Sequence, residues 1–278
     1  MEICYLKKSK EQSLLIQTEN ESDREMLYDL FNKYTPSTTE TNFSIEKYTK
    51  MWVAGTMSNY EYLIALNSAA NRTRNDLSQY PVFPWVLSEY KTSHLDLNDE
   101  KNFRDLTKPI GALEKKRLEV FKERYRQMPE PKFLYGTHYS NPGYVIGYLV
   151  RKYPQYMIKL HGGKFDHPDR LFNSILIDWE ICLTNPGSLK ELIPEFYEDN
   201  QDFLLNSLNL ELGLTSKNEK IGNVKLPNWA TDHSDFLLKM RDALESQYVS
   251  NNLHHWIDLI FGYKQRGQAA LDSDNCKV

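Results

Sequence analysis

Cysteine is scarce in this chain. Cys4, Cys182 and Cys276 are odd in number, far apart and form no C-x-x-C pair. That pattern supports neither a disulfide framework nor a zinc knuckle. No apolar run reaches bilayer-spanning length, and the N-terminal residues carry no apolar signal core. Without such a signal, the sequons at Asn20, Asn42 and Asn71 read as chance matches. The expected compartment is the reducing cytosol, with peripheral contact to endomembranes. A formal charge of -4 gives no overall attraction to nucleic acid or anionic lipid. The aromatics alternate with aliphatics rather than with Lys and Arg, so no nucleic-acid partner is expected. G-x-S-x-G, H-E-x-x-H, the P-loop and G-x-G-x-x-G are all missing.

What is present is core material. Hydrophobic residues make up 40% and aromatics 13% of 278 residues, enough for a large buried interior. The stretch 75–90 concentrates it: Tyr80, Pro81, Phe83, Pro84, Trp85 and Tyr90 stand among aliphatics. Two prolines three apart forbid a helix and argue against a central strand. The expectation is a buried, extended, irregular ribbon wrapped by helices. Its backbone needs partners, and Arg72, Arg74, Asn75, Asp76, Ser78 and Gln79 are the nearest candidates.

Along the chain, two short strands are predicted around Ile3–Leu6 and Leu14–Thr18, joined by a polar turn. A Ser22/Glu25 capping box then opens a helix with Met26, Leu27, Leu30, Phe31 and Tyr34 on one face. These three elements cannot enclose a core, so they pack on the rest or end a domain whose front is missing. A polar linker follows over 35–45, then an amphipathic run through Tyr48 and Trp52. Ser58/Glu61 forms a second capping box, opening a helix with Tyr62, Leu63, Leu66 and Ala70 inward. Leu118, Phe121, Tyr125 and Met128 predict a helix from about Ala112 to Pro129, with Lys115-Lys116-Arg117 on its solvated face. Ser140 or Asn141 caps the next, and 155–160 fits helix or strand. Asp166 and Pro168 open a long helix through Leu171, Phe172, Trp179 and Cys182. Ser234 and Ser250 cap the last two, and the tail from Asp272 frays.

Local polar clusters have ordinary readings. His161, Asp166, His167 and Asp169 suggest a metal, but their positions suit a helix N-cap and first turn. His138 and Ser140 suggest a base and a nucleophile, yet no third group is identifiable; a buried histidine and a helix cap are the better reading. His254 and His255 point about 100° apart on a helix, poor geometry for shared ligation. Arg72 and Arg74 near Asp76, and Arg104-Asp105, lie in or beside apolar segments. They read as an internal ion-pair network, or as a groove that receives a partner.

Several blocks resemble the BEACH domain family. They are Trp52 with Ser58-Asn-Tyr-Glu-Tyr-Leu63, then Arg72-Thr73 through Trp85, and Phe103-Arg-Asp-Leu-Thr-Lys-Pro109. Tyr135-Gly-Thr-His-Tyr-Ser140, Asp169-Arg-Leu-Phe172, Leu192 to Tyr197, Trp229-Ala230 and Trp256 to Gln265 follow in order. Arg151-Lys-Tyr-Pro154 and Asp242 to Ser250 resemble the type of the neutral-sphingomyelinase-activation-associated factor. The resemblance implies a mainly α fold, helices around irregular extended segments, with residues 1–34 as a β-β-α remnant of a PH-like domain. It implies a linker over 35–45, the BEACH domain over 46–278, a PH-like domain packed in cis and a WD-repeat propeller beyond. The chain is then a fragment or a short gene product.

It also implies a non-catalytic scaffold binding protein partners in membrane trafficking, vesicle and lysosome biology, autophagy or receptor signalling, with no cofactor and no metal. The alternative is a lipid-binding or lipid-modifying domain. The expected groove or polar network comprises Arg72, Arg74, Asn75, Asp76, Arg104, Asp105 and His138. The expected core comprises Trp52, Tyr80, Pro81, Phe83, Pro84, Trp85, Phe172, Trp179 and Trp256. Two departures stand out: Asn71 replaces the family's glycine, and Arg74 replaces an aromatic residue.

Overall fold

Prolines at 81 and 84 leave the central segment without a helix or a ladder, and the surroundings supply its partners instead. The computed structural model describes residues 2–7, 10–34 and 44–277. It is mainly helical: α1 Glu21–Tyr34, α2 Ile45–Val53, α3 Asn59–Ala69, α4 Lys115–Gln127, α5 Pro142–Tyr148, α6 Pro154–Leu160, α7 Ile175–Thr184, α8 His233–Leu244, α9 Gln247–Ile260 and α10 Gly267–Asp272. A single antiparallel pair, β1 Glu2–Lys7 and β2 Lys10–Leu15, is the one sheet among the described residues, with Glu2 opposite Leu15 and Lys7 opposite Lys10. The core joins the central segment to α3, α7, α8 and α9, and a small satellite forms around Ile146, Val150 and Met157.

Residues 80–87 are buried and irregular. Three extended segments lie side by side there, touching through isolated bridges Phe83–Leu192 and Leu87–Phe103. Asn67 on α3 accepts from the Val82 amide at 2.8 Å and donates to the Val82 carbonyl at 3.0 Å. Phe83 exchanges both backbone bonds with Leu192, at 2.9 and 2.8 Å. The Tyr197 hydroxyl donates to the Pro84 carbonyl at 2.6 Å. Glu191 accepts from the Trp85 amide at 3.1 Å, and the Arg104 amide donates to the Val86 carbonyl at 2.9 Å. Of the nearby candidates, Arg72 bonds this stretch by its side chain, to the Tyr80 carbonyl at 3.0 Å. Asp76 is used on the local turn, accepting from the Ser78 amide and hydroxyl.

Caps set most helix starts. The Ser58/Glu61 box opens α3 as expected, with both reciprocal bonds formed. Asn141 caps α5, and 154–160 is helical. Asn71, just past α3, has φ +56°. This is the left-handed position the family's glycine would fill, and asparagine adopts it at low cost. Beyond it the helix cannot continue.

Several expectations are corrected. Asn20, not Ser22, caps α1, accepting from the Asp23 amide at 2.9 Å. α1 has no buried residue, and Met26, Leu30, Phe31 and Tyr34 are exposed. Ala70 is exposed at the end of α3. Pro168–Arg170 is a 3-10 turn that stops at Leu171, and Ser174 opens α7 separately. Asp232 and Ser246 cap α8 and α9, each about one turn earlier or less than Ser234 and Ser250. Arg117 is buried, not solvated. The tail is anchored: Asn275 is fully buried and donates to the Leu259 and Lys264 carbonyls, both at 2.8 Å. The expected linker lies mostly outside the described residues, as does the tip of the expected first turn.

Replacing Asn67 with alanine strands the buried amide and carbonyl of Val82. Asn67→Ala should cost about 2–4 kcal/mol, read as a lowered denaturation midpoint with an unchanged m-value. A loss under about 0.5 kcal/mol would show that the central segment does not depend on this side chain.

Candidate functional site

The charged residues divide into an interior set and a surface set. Arg104 and Glu191 form an ion pair at 2.7 Å with both side chains almost wholly excluded from solvent. Such a pair needs further hydrogen bonds, and it has several, although the Arg104 Nε is buried without a partner. Arg104 also donates to the Trp85 carbonyl at 3.4 Å and the Lys108 carbonyl at 3.1 Å. Glu191 accepts from the Trp256 indole at 3.1 Å. Asp105, next in sequence, turns outward to Lys108 at 2.8 Å and is not part of this interior set.

Arg74 lies at the surface. It pairs with Glu198, approaches Glu195 at 3.6 Å, and is two-fifths exposed. Tyr60 donates to Glu198 at 2.5 Å, and Tyr80 to the buried Glu195 at 2.6 Å. Burial, then the Glu198 carboxylate, pushes the Tyr60 hydroxyl well above its usual range. Burial, then Glu195, does the same for Tyr80. Burial opposes ionisation of Glu198, but the bonds from Arg74 and Tyr60 outweigh it and hold the carboxyl below its usual value. The positive charge at 74 is therefore held within an acidic and phenolic network.

The remaining predicted site residues scatter. Asn75 is exposed and Asp76 half-buried, both in the turn before the central segment. His138 is exposed, which corrects the buried histidine expected there; its ring stands edge-on to Tyr139 at 6.0 Å. Of the predicted core set, Tyr80, Pro81, Phe83, Pro84, Trp85, Phe172, Trp179 and Trp256 are buried. Trp52 is half-buried, stacked on Tyr62 at 4.5 Å with its indole donating to Asn59 at 2.6 Å.

Sequence reading missed two further buried cations, Arg117 and Arg151, and a half-buried one, Lys277. Arg117 donates to the carbonyls of Ile110, Asn185 and Ser188. Arg151 donates to those of Gly222 and Phe172. Lys277 reaches Asn275 and sits 4.9 Å from the Tyr139 ring. It borders a small void of about 10 Å³ shared with Glu191 and Trp256. Burial pushes the Lys277 ammonium down to about 8, against the pull of Glu191. No local signal marks these residues: Arg117 closes a basic run among glutamates, Arg151 follows an apolar helix end, and Lys277 lies in a polar tail.

Three open grooves surround α3 and α9. One, of about 750 Å³, runs between α2 and the α8–α9 corner past Trp52, Val53 and Asn251. Its charged residue is Glu245, whose carboxylate accepts from the first two amides of α3 at 2.8 and 2.9 Å. A second, of about 530 Å³, lies between the ends of α3 and α9 and includes Arg72, Gln79, Tyr139 and Arg266. A third, of about 420 Å³, joins Glu100 and Asp242 beside Tyr248. Neither His138 nor Ser140 lines any of the three.

The Asp166 cluster is occupied internally. Arg170 binds Asp166, and Asp169 accepts from the Ser216 amide at 2.9 Å. Among the described residues no group of three or more potential ligands could hold a metal ion. No helix among them is long and apolar enough to cross a membrane.

Two outcomes follow. Arg104→Met or Glu191→Gln leaves a buried group unpaired and should each cost about 3–5 kcal/mol. The double variant should lose clearly less than the sum in a thermodynamic cycle; strict additivity would contradict the pairing. For Lys277, the depressed ammonium means the unfolded chain binds the proton more tightly between about 8 and its ordinary 10.5. This residue's penalty is therefore full below pH 8 and fades as pH rises through that window. The stability of Lys277→Met relative to the parent should fall between pH 7 and 10, by on the order of 1–3 kcal/mol. A constant difference would refute this.

Comparison with known proteins fits this architecture. The profile described as "Beige/BEACH domain" matches residues 50–277. BEACH domain-containing protein lvsD of Dictyostelium discoideum is 49% identical over 232 residues, 82% of this chain and 8% of that protein. BEACH domain-containing protein B of Arabidopsis thaliana is 47% identical over 230 residues, 81% of this chain and 9% of that protein. Protein SPIRRIG of the same plant is 50% identical over 238 residues, 83% of this chain and 7% of that protein. The chain thus spans less than a tenth of each of these relatives. With a family profile covering most of its length and relatives near half identity, the chain belongs to the BEACH domain family.

Proposed function

We propose that this chain is a non-catalytic interaction module, a scaffold that engages protein partners in membrane trafficking or receptor signalling. The observation that carries the reading is how its polar groups are used. The interior ionic groups are committed to irregular backbone, as with Arg104 and Glu191. The open surface includes three grooves beside the well-anchored α3 and α9. A rigid body with open grooves suits recognition, because little order is lost when a segment settles there.

Residues 1–34 form the end of a PH-like domain packed in cis, 35–45 the linker and 46–278 the BEACH domain. The β-β-α order and the exposed apolar side chains of α1 support this, since Met26, Leu30, Phe31 and Tyr34 need cover. The chain is nearest in kind to the neutral-sphingomyelinase-activation-associated factor. It acts in the cytoplasm at endomembranes, in vesicle, lysosome or autophagy biology, with partners and not its own charge bringing it there. Within this reading, Arg72, Arg74, Asn75, Asp76, Arg104, Asp105 and His138 serve binding or internal support.

Blocking each groove in turn tests the reading. Val53→Glu, Ala70→Glu and Asn251→Arg change partly open positions and should leave the melting temperature unchanged. At least one should abolish saturable binding of a cytosolic protein that the parent chain recovers. Lipid turnover lost in His138→Ala, or saturable binding of the isolated chain to one lipid, would favour the lipid reading instead.

A further inference from the structure

Most arginines in this molecule are matched to a carboxylate or to backbone carbonyls. Arg24, Arg74, Arg104, Arg126, Arg170 and Arg241 each pair with a carboxylate. Arg117, Arg124 and Arg151 donate to backbone carbonyls. Arg72, which also donates to a backbone carbonyl, and Arg266 meet at one place, the groove between the ends of α3 and α9. Arg72 uses one nitrogen on the Tyr80 carbonyl, and its guanidinium also faces the Tyr139 hydroxyl, with that ring 5.7 Å away. Arg266 is exposed. Neither forms an ion pair among the described residues, and no carboxylate lines the groove. The other two grooves have the opposite character, one with Glu245 and one with Glu100 and Asp242.

Part of this charge is already answered. α3 and α9 both end at the groove, and a helix C-terminus carries roughly half a negative charge. Two such ends offset about one of the two arginines, leaving a balance near one positive charge. The floor is apolar: Leu66, Ala70, Ile260 and Phe261 face the space between the arginines. The exposed Arg266 guanidinium, with Arg72 across an apolar floor, suits a carboxylate beside an aliphatic or aromatic side chain.

We infer that this groove binds an acidic, extended protein segment whose carboxylates meet Arg72 and Arg266 while one large apolar side chain seats on the Leu66–Phe261 floor. This deepens the interaction-module reading and rests on it. Charge selects the segment, and the floor supplies the anchor; neither acid alone nor apolar surface alone is sufficient.

The test uses the whole chain and fluorescence anisotropy. The probe is a fluorescein-labelled peptide in which glutamates flank a central Phe-Leu pair. One control carries lysines for the glutamates, and another carries alanines for the Phe-Leu pair. The acidic probe should bind saturably and weaken as salt rises. The two controls should bind at least about ten-fold more weakly. Arg266→Glu, an exposed change, should weaken the acidic probe about ten-fold or more without moving the melting temperature, and Ala70→Glu should do the same. Arg72→Lys keeps the charge but loses the fork, and should show an intermediate loss. No binding of the acidic probe, equal binding of the lysine control, or indifference to Arg266→Glu would overturn the inference. So would saturable binding to phosphatidylserine vesicles in place of the peptide. If the peptide fails while the chain still captures a cytosolic partner blocked by Val53→Glu or Asn251→Arg, the interaction-module reading stands and only this groove's assignment falls.

Discussion

The Glu191 carboxylate accepts from the amide of Trp85, the guanidinium of Arg104 and the indole of Trp256. It ties α9 to extended stretches of backbone that pair with one another only at isolated bridges. In a regular sheet, one register decision satisfies many donors at once. Here each buried amide and carbonyl must be met separately. Asn67, Arg72, Arg104, Tyr197 and Glu191 do this for the central segment. Arg117, Arg151 and Asn275 do it for the loops around it. Single-point satisfaction is costly to disturb, because each side chain has no substitute nearby.

Rigidity of the surface follows from that interior. α3 presents Asn67 to the central segment and Arg72 just beyond its end, so the floor of one groove is fixed by the same residues that hold the core. At its other end, α3 takes the Glu245 carboxylate on its first amides, which ties it to the corner between α8 and α9. The grooves are therefore bounded by elements whose positions are set from within. Such bounds favour recognition by a body that does not reshape itself.

Much of this was legible in the sequence because it is local. The two prolines and the aromatics of 80–90 announced buried irregular backbone, and Ser58 with Glu61 announced the start of α3. The block order from Trp52 to Gln265 announced the family. What escaped is long-range. Trp85 meets Glu191 and Tyr80 meets Glu195 more than a hundred residues away, and no spacing rule links them. Arg117 stands in a basic run among glutamates, which looks solvated until Ile110, Asn185 and Ser188 are seen to aim carbonyls at it. Asn275 lies in a polar tail whose value depends on two carbonyls from elsewhere. Apolar periodicity carried Leu171 and Phe172 into α7, but both are buried in the extended stretch before it. The cap positions of α8 and α9 failed for a smaller reason: several serines and aspartates stand within one turn, and geometry chooses among them.

Native-state hydrogen exchange measures the central claim directly. The amides of Val82, Phe83 and Trp85 should exchange as slowly as those of Leu253 and Trp256 in α9, through global unfolding alone. Exchange of the three at the rate of exposed loop amides, while α9 stays protected, would show that the irregular segment opens independently and does not organise the fold.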